Sequence, residues 1–308
     1  MSRRSGASRG RKRSKLDAGS QRNEGAGRSK LPGGLYLVAT PIGNTADITL
    51  RALDVIARAD TLACEDSRVT GKLLARHGIK ARLTPYHDHN AATARPRLLA
   101  KLAAGESVAL VSDAGTPLIS DPGYKLVRAA LDKGIAVTTV PGASAVLSAL
   151  TLSGLPSDRF FFGGFLPAKR AGRRKAIAEL AAIPATLVFF ESMPRLAACL
   201  ADLAALLGNR EAAVARELTK MFEEVRRGAL ADLAAGYAEQ GPPKGEAVIV
   251  IGPPAREKAD AEGLETKLTR ALAEMSVRDA ASLVAAETGL PRRQVYVRAL
   301  ALARRSGN

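Results

Sequence analysis

The sequence predicts an α/β protein with two α/β domains and a small helical extension at its carboxyl end. Short apolar runs alternate with longer amphipathic stretches, the pattern of β/α units around a largely parallel sheet. The chain has 308 residues and is 46% hydrophobic, which suffices for about two domains with buried cores. Residues 264–308 carry helical periodicity alone.

The first α/β domain is predicted over residues 34–150. Each apolar run reads as a buried strand, and each helical stretch ends at a Gly or polar residue, as a helix C-cap requires. The predicted strands are 35–40, 61–64, 107–112 and 136–140. The predicted helices are 50–59, 71–77, 92–103 and 124–133.

The second domain, over residues 151–253, is predicted to contain a mixed sheet. Its strands are expected at 160–162, 186–190, 212–215, 222–227 and 247–251, and its helices at 173–182, 194–207 and 230–238. Strand 222–227 follows another strand with no helix between them, so this pair is expected to be antiparallel.

The two ends of the chain differ in kind from these domains. Residues 1–33 have almost no large apolar side chain and are predicted to be a disordered basic arm. Residues 254–263 read as a polar linker. In 264–308, Ser276 and Asp279 resemble a capping box, Gly289 stops a helix, and an Arg-rich helix follows. This pattern predicts a helix-turn-helix-like domain, with a plain three-helix cap as the alternative.

Positive charge is concentrated at the ends of the chain. The formal charge is +16, of which residues 1–30 contribute +8 and residues 264–308 contribute +4. Such basic segments favour a large polyanionic partner, because Lys and Arg release counterions condensed on nucleic-acid phosphates. The alternative is a charged tail that only aids solubility.

The sequence lacks the residues that are expected of several classes of protein. Cys64 and Cys199 cannot form a disulfide framework or a metal site, which fits a reducing cytoplasm, and no metal is expected. The charge-free stretch 134–157 is interrupted by Pro141-Gly142 and Pro156, so no membrane span is predicted. No secretory signal is predicted, and the sequence contains no P-loop or Rossmann glycine motif.

Three Gly/Pro-rich loops follow predicted strands, where open α/β sheets bind ligands. They are Thr-Pro-Ile-Gly-Asn at 40–44, the long loop 112–123, and Pro-Gly-Ala-Ser-Ala at 141–145. These loops contain no Lys or Arg, so a phosphate would lack cationic donors. Backbone groups, hydroxyls and Asp113 suit a ligand such as S-adenosylmethionine, and ordinary tight turns are the alternative.

Three polar clusters are candidates for chemistry: Glu65-Asp66-Ser67-Arg68, His87-Asp88-His89-Asn90 and Arg216-Glu217-Leu218-Thr219-Lys220. Glu65 and Asp66 could form a carboxylate pair with one raised pKa, or cap a helix. His87 and His89 could position a substrate, or lie on the surface.

These motifs occur in an order that resembles a known family. The segments LYLVATPIGN, CEDSR, HDHN, VSDAGTPLISDPG, VPGASA, RELTK and KGE resemble the RsmI family of 16S ribosomal RNA 2′-O-ribose methyltransferases. The resemblance runs from about Leu35 to Ile251. It implies the two-domain tetrapyrrole methylase-like fold of class III S-adenosylmethionine methyltransferases, usually as a homodimer. The three-helix tail resembles the extension found on many members.

The resemblance also implies which residues bind the cofactor, S-adenosyl-L-methionine, in the cleft between the domains. In the first domain they are Pro41, Asp113, Gly115, Thr116, Pro117, Ile119, Ser144 and Ala145. In the second they are Phe190, Glu191, Ala215 and Glu246.

The implied substrate is the ribose 2′-hydroxyl of a decoding-centre cytidine, cytidine 1402 of 16S RNA, in the small (30S) ribosomal subunit. One base should suffice, because a sulfonium leaving group needs no acid. We expect that base among Glu65, Asp66 and Glu217, with Arg68 or Lys220 positioning the substrate. RNA contacts are expected from His87 and His89, and from Arg292, Arg293 and Arg298.

Three other functions stay open at this stage. A methyltransferase of the same fold acting on a tetrapyrrole would have no need of the basic arm and tail. A ligand-sensing regulator would bind duplex DNA through the helical extension. A ribosome-assembly factor without catalytic activity would bind the subunit and transfer no methyl group.

Overall fold

The structure, a computed structural model, describes residues 30–241, 245–254 and 261–306. Within these ranges no helix is both long enough and apolar enough to cross a bilayer. The described residues form two five-stranded sheets with their helices, followed by three helices that pack on one another. This is the predicted α/β class.

The first sheet is wholly parallel, with strand order β3-β2-β4-β1-β5. Because its strands are parallel, the loops that follow them meet at one edge. The strands are β1 (Gly34–Val38), β2 (Thr61–Cys64), β3 (Leu83–Pro85), β4 (Ser107–Val111) and β5 (Val137–Val140). The helices are α1 (Leu50–Arg58), α2 (Ser67–Arg76), α3 (Ala91–Ala103), α4 (Tyr124–Leu131) and α5 (Ala145–Ser153), with a short 3₁₀ helix at Thr45–Asp47.

The second sheet is mixed, with strand order β6-β7-β10-β8-β9. Only β6 and β7 are parallel, and β8 and β9 form the expected antiparallel pair. The strands are β6 (Phe160–Phe165), β7 (Thr186–Ser192), β8 (Glu211–Arg216), β9 (Glu224–Ala229) and β10 (Glu246–Ile251). The helices are α6 (Arg170–Leu180), α7 (Met193–Leu207) and α8 (Leu230–Gln240).

Helix α5 joins the two sheets. Its buried residues Val146, Ala149 and Leu150 pack against the second sheet at Val188 and Val248. The opposite face of that sheet is covered by a separate core built from α6, α7 and α8. The first helix after β5 thus fixes how the two sheets face each other, and it leaves a cleft between their edges.

The carboxyl-terminal helices are α9 (Ala261–Glu274), α10 (Val277–Thr288) and α11 (Arg292–Ser306). They share a core that includes Leu268, Val284 and Val295. The Ser276 hydroxyl accepts a hydrogen bond from the Asp279 amide at 3.2 Å, which confirms the predicted cap. Gly289 ends α10 with φ 65°, a left-handed conformation that favours glycine.

Several element boundaries differ from the sequence predictions. Strand β3 was not predicted, because three residues that end in Pro85 form no recognisable apolar run. Helix α2 begins four residues earlier than expected because Asp66 caps it. Helix α9 starts at Ala261, inside the predicted linker, of which residues 255–260 lie outside the described ranges.

The predicted disordered arm lies outside the described residues up to position 29. Its last residues are packed on the body. Leu31 is buried in the first core, and the Lys30 ammonium lies 3.3 Å from the Asp60 carboxylate. Residues 30 and 31, which the sequence analysis places in the arm, therefore belong to the folded body.

Candidate active site

A cavity of about 510 Å³ lies between the two sheets. One side is formed by the loops that follow β1, β2, β4 and β5, at the carboxyl edge of the parallel sheet. The other side is formed by β7, β8, β10 and the loop after β8. This volume is within the range of small-molecule sites, which occur preferentially between domains.

The loop 112–123 forms most of the first side, and its conformation is strained. Leu118 (φ 74°) and Ser120 (φ 66°) are left-handed although neither is glycine, a conformation that costs about 1–2 kcal/mol per residue. Hydrogen bonds hold the loop in place. The Gly115 carbonyl accepts from the Thr40 amide at 2.9 Å, and the Thr116 hydroxyl donates to the Ala143 carbonyl at 3.3 Å. Such strain persists only where surrounding structure fixes it, often at functional sites.

Three carboxylates stand on this side, and we call Glu65, Asp113 and Asp121 the acidic wall. Burial, together with the charges of Asp113 and Asp88, raises the pKa of Glu65. Burial and the neighbouring Glu65 raise the pKa of Asp121 to about 6, against an opposing hydrogen bond from Ser112. A carboxyl group with a pKa near neutrality can exchange a proton at physiological pH.

The opposite side also carries carboxylates, but each has a basic partner. We call Glu191, Glu217, Lys220 and Glu246 the ion-paired wall. The Lys220 ammonium lies 2.9 Å from the Glu217 carboxylate and 3.5 Å from that of Glu246. The hydrogen bond from Lys220 lowers the pKa of Glu217. This wall therefore holds its charges fixed.

Glu191 contributes to the ion-paired wall differently. Its side chain is fully buried, and its carboxylate lies 3.1 Å from the Arg195 guanidinium on α7. The same carboxylate accepts a hydrogen bond from the Ser192 amide at 2.7 Å. These contacts fix the end of β7 and pair the Glu191 carboxylate with a cation.

The two walls meet where the β1 loop touches the loop after β8. The Asn44 amide donates to the Thr219 hydroxyl at 2.9 Å. Gly43 permits this approach, because a Cβ there would lie 2.6 Å from Cγ of Lys220 and 2.9 Å from the Leu218 carbonyl oxygen. Real Cβ contacts are longer than this, so the contact requires glycine.

Most residues expected to bind the cofactor line the cavity. Pro41 and Pro117 do not line it; both are buried beside residues that do. Those that line it are Asp113, Gly115, Thr116, Ile119, Ser144, Ala145, Phe190, Glu191, Ala215 and Glu246.

The catalytic candidates separate into two groups. Glu65, Glu217 and Lys220 line the cavity. Asp66 and Arg68 do not line it, because the Asp66 carboxylate caps α2 and pairs with the Arg68 guanidinium at 2.6 Å. Hydrogen bonds from Arg68 lower the pKa of Asp66 to about 2. The capping alternative considered for this pair of acids therefore applies to Asp66.

The residues expected to contact RNA do not line the cavity. The rings of His87 and His89 are 6.0 Å apart at the end of β3, and neither lines the cavity. Arg292 and Arg293 begin α11, and Arg298 pairs with Glu265 on α9. In the described part of the chain no cluster of three or more His, Cys, Asp or Glu residues could hold a metal ion.

The lining residues that were not among the predicted site residues include Asp121, Phe165 and Ser192. Asp121 stands in a Ser-Asp-Pro-Gly segment that reads as an ordinary turn, and only its burial beside Glu65 marks it out. Phe165 lies beyond the predicted end of its strand, and its ring packs edge-on against Phe190 at 5.5 Å.

A second hollow, of about 580 Å³, opens at the opposite ends of β8 and β10. It is shallow, and Arg210 and Glu211 are its only ionisable lining residues among those described. Arg210 is engaged with the carbonyls of Ala181 and Leu207. The cavity between the walls is therefore the better candidate for chemistry.

Comparison with known proteins gives matches along nearly the whole chain. Residues 34–234 match the tetrapyrrole (corrin/porphyrin) methylase family, and residues 257–303 match the RsmI C-terminal helix-turn-helix domain. The chain is 54% identical to ribosomal RNA small subunit methyltransferase I of Mesorhizobium japonicum, over 89% of this chain and 93% of that one. It is 48% identical to the protein of the same name from Escherichia coli O157:H7, over 87% of this chain and 95% of that one.

Solved structures show the same fold. Uroporphyrin-III-C-methyltransferase from Thermus thermophilus superposes with a TM-score of 0.52 at 25% identity, covering 71% of this chain and 94% of that one. Diphthine synthase superposes with a TM-score of 0.54 at 19% identity, over 71% and 89%. On the motifs, the two-sheet fold and these matches, the chain belongs to the ribosomal RNA small subunit methyltransferase I family, within the tetrapyrrole methylases.

Proposed function

We propose that this protein transfers a methyl group from S-adenosyl-L-methionine to the ribose 2′-hydroxyl of a cytidine in the RNA of the small ribosomal subunit. The observation that carries the proposal is the acidic wall, in which two carboxyl groups, those of Glu65 and Asp121, have raised pKa values inside a cavity of ligand size. The printed names of the relatives support the choice of ribosomal RNA as substrate.

The residues present fit the methyl donor. Its sulfonium and ammonium groups are cationic, and the acidic wall offers carboxylates without a basic partner lining the same wall. The one cation that lines the cavity among the described residues, Lys220, is paired with Glu217 and Glu246. Apolar groups from Ile42, Ile119 and Phe190 would hold the remainder of the donor, as in most small-molecule sites.

The donor would supply a methyl group on a sulfonium sulfur, which leaves without needing a proton. The protein must therefore accept only the proton that the ribose hydroxyl loses. Glu65 and Asp121 suit that task because both line the cavity and their carboxyl groups have raised pKa values. Asp66 and Glu217 suit it less, because their pKa values are lowered by cationic partners. A well-placed base contributes about 10²–10⁴-fold to the rate.

Positioning of the reacting atoms supplies the other contribution to the rate. The hydrogen bonds of loop 112–123 fix its conformation. The contact of Gly43 with the loop after β8 fixes the position of one wall relative to the other. A reacting oxygen and carbon held in line gain rate without further chemistry. The Lys220 ammonium, held by two carboxylates, would orient the ribose and stabilise developing negative charge.

The other members of the proposal stay predictions. They are a homodimeric assembly, a cytoplasmic location and RNA contacts from α11. The domain boundaries at residues 150 and 253 also remain predictions.

Methyl transfer from labelled S-adenosylmethionine to small subunits that lack the modification tests the proposal. Mass spectrometry of the product should identify 2′-O-methylcytidine at one site. A methyl group on a base would contradict the proposed ribose target. Absence of transfer to subunits, with transfer to a tetrapyrrole instead, would replace the proposal.

A further inference from the structure

The amino end of α6 presents positive charge close to the cavity. Phe165 lines the cavity, and α6 begins at Arg170. The four-residue step from Phe165 to Lys169 spans at most about 14 Å even when fully extended. The Arg195 guanidinium donates to the Leu166 carbonyl at 2.7 Å, which ties this connection to α7.

Charge in this segment is strongly unbalanced. We call Lys169, Arg170, Arg173 and Arg174 the α6 basic surface. Segment 169–175 also contains Lys175 and has no acidic residue. Its acidic partner is Asp202 of α7, a single buried carboxylate. One negative charge against five positive ones leaves +4, so the segment stays strongly cationic.

Asp202 organises the three arginines. Arg173 is buried and donates to this carboxylate through two nitrogens, at 2.9 and 2.7 Å. Arg174 donates to it at 3.1 Å and Arg170 at 3.4 Å, each through a single nitrogen. Their side chains are 38% and 77% exposed. A guanidinium has five N–H donors, so both retain donors for another anion.

This arrangement suits phosphate groups. Arginine binds phosphate with a planar fork of donors, and side chains already held in place lose little conformational entropy on binding. The charge of the acidic wall, by contrast, would repel a polyanion at the cavity itself. An RNA strand that delivers a ribose to the cavity therefore needs cationic contacts beside it.

We propose that the α6 basic surface binds backbone phosphates of the RNA strand whose ribose enters the cavity, in addition to any contact made by the carboxyl-terminal helices. This inference rests on the proposed function, because it takes RNA as the substrate. The surface would set affinity and register while contributing little to the chemical step.

The test variant is Lys169→Gln/Arg170→Gln/Arg174→Gln, which leaves the Arg173–Asp202 pair intact. A second variant, Lys169→Gln/Arg170→Gln, also keeps the Arg174 contact and guards against loss of folding. The matched control is Arg76→Gln/Lys80→Gln/Arg82→Gln. It removes three exposed cations, one at the end of α2 and two in the connection to β3, at the edge of the first sheet opposite the cavity.

Two quantities are measured at several salt concentrations: the KM for small subunits and the Kd for protein-free 16S RNA. For the triple variant we expect affinity to fall about 10- to 100-fold and the slope of log Kd against log salt to decrease by about 2. The double variant should show a smaller change in the same direction. The kcat at saturating RNA and the affinity for S-adenosylmethionine should not change, and the control should behave as wild type.

An unchanged salt slope in the triple variant, or equal losses in the triple variant and the control, would overturn the inference. A loss for subunits without a loss for protein-free RNA would assign the surface to a ribosomal protein instead. If wild type methylates subunits and the triple variant binds them normally, this inference alone fails. If wild type transfers no methyl group, the proposed function fails, and the binding measurements still decide whether this surface contacts RNA.

Discussion

The two walls of the cavity both carry carboxylates, yet they hold them in opposite electrostatic states. On the acidic wall, burial raises the pKa values of Glu65 and Asp121. On the ion-paired wall, Lys220 lowers the pKa of Glu217, and the Arg195 guanidinium forms an ion pair with the buried carboxylate of Glu191. The residue types are the same, so the environment alone makes the difference.

This difference indicates a division of labour. A buried carboxylate without a cation costs stability, and such a cost persists where function requires it. A carboxylate paired with a cation holds its neighbours in place. We therefore assign proton transfer to the acidic wall and the shape of the cavity to the ion-paired wall. Variants on each wall test that assignment.

The largest effect is expected from the double variant Glu65→Gln/Asp121→Asn. It removes both candidate proton acceptors with little change in side-chain volume, and we expect the rate of methyl transfer to fall about 10²–10⁴-fold. Single-turnover assays at saturating donor and subunits would measure it.

The neighbouring Asp66→Ala serves as a control. Loss of the α2 cap should lower the midpoint of thermal unfolding and leave the rate near wild type. A double variant with the wild-type rate would remove the acidic wall from the chemistry.

A smaller effect is expected from Gly43→Ala, which tests whether the walls must touch. The new Cβ would meet Cγ of Lys220 at 2.6 Å and the Leu218 carbonyl oxygen at 2.9 Å. Overpacking of this kind costs about 1–3 kcal/mol, which we expect to appear as weaker donor binding in calorimetry. The control is Gly71→Ala inside α2, where a Cβ meets nothing within 4 Å. This control should stabilise the protein by roughly 0.5–1 kcal/mol. Equal behaviour of the two variants would contradict a required contact.

Glu217→Gln should have a more modest effect. Lys220 would lose its partner at 2.9 Å and retain Glu246 at 3.5 Å. Both side chains of the pair are partly exposed, so the loss of stability should be at most about 1 kcal/mol. Thermal unfolding and donor titration would measure it. If Glu217 were the base, the rate would instead fall as steeply as in the double variant of the acidic wall.

The smallest effect is expected in the dependence of the free energy of unfolding on pH. The pKa of Asp121 is about 6 in the folded protein and near 4 in an unfolded chain. Between these values the folded state binds more protons, so the free energy of unfolding attributable to this group falls as pH rises from about 4 to 6. Asp121→Asn should therefore be more stable than wild type at pH 8 by roughly 1 kcal/mol, and this gain should vanish below pH 4. Denaturant unfolding at the two pH values checks the sign.

The sequence alone predicted where the cavity would lie. Loops 40–44, 112–123 and 141–145 follow strands of a parallel sheet, so topology brings Gly115, Thr116 and Ser144 together. It could not predict the state of each carboxylate. Glu65 and Asp121 come from loops after different strands, and their pKa values depend on burial and mutual distance. Strand β3 was missed for a related reason, because pairing with β2 rather than an apolar pattern defines it.

The dependence of the methyl-transfer rate on pH tests the division between the walls most directly. In single-turnover assays with labelled donor and small subunits, the wild-type rate should rise with pH to a plateau above about 6, the pKa of Asp121. Glu217→Gln should keep this profile, while Asp121→Asn should shift or lose the acidic limb. A profile that is flat through pH 6, or an acidic limb that survives removal of both Glu65 and Asp121, would contradict the account.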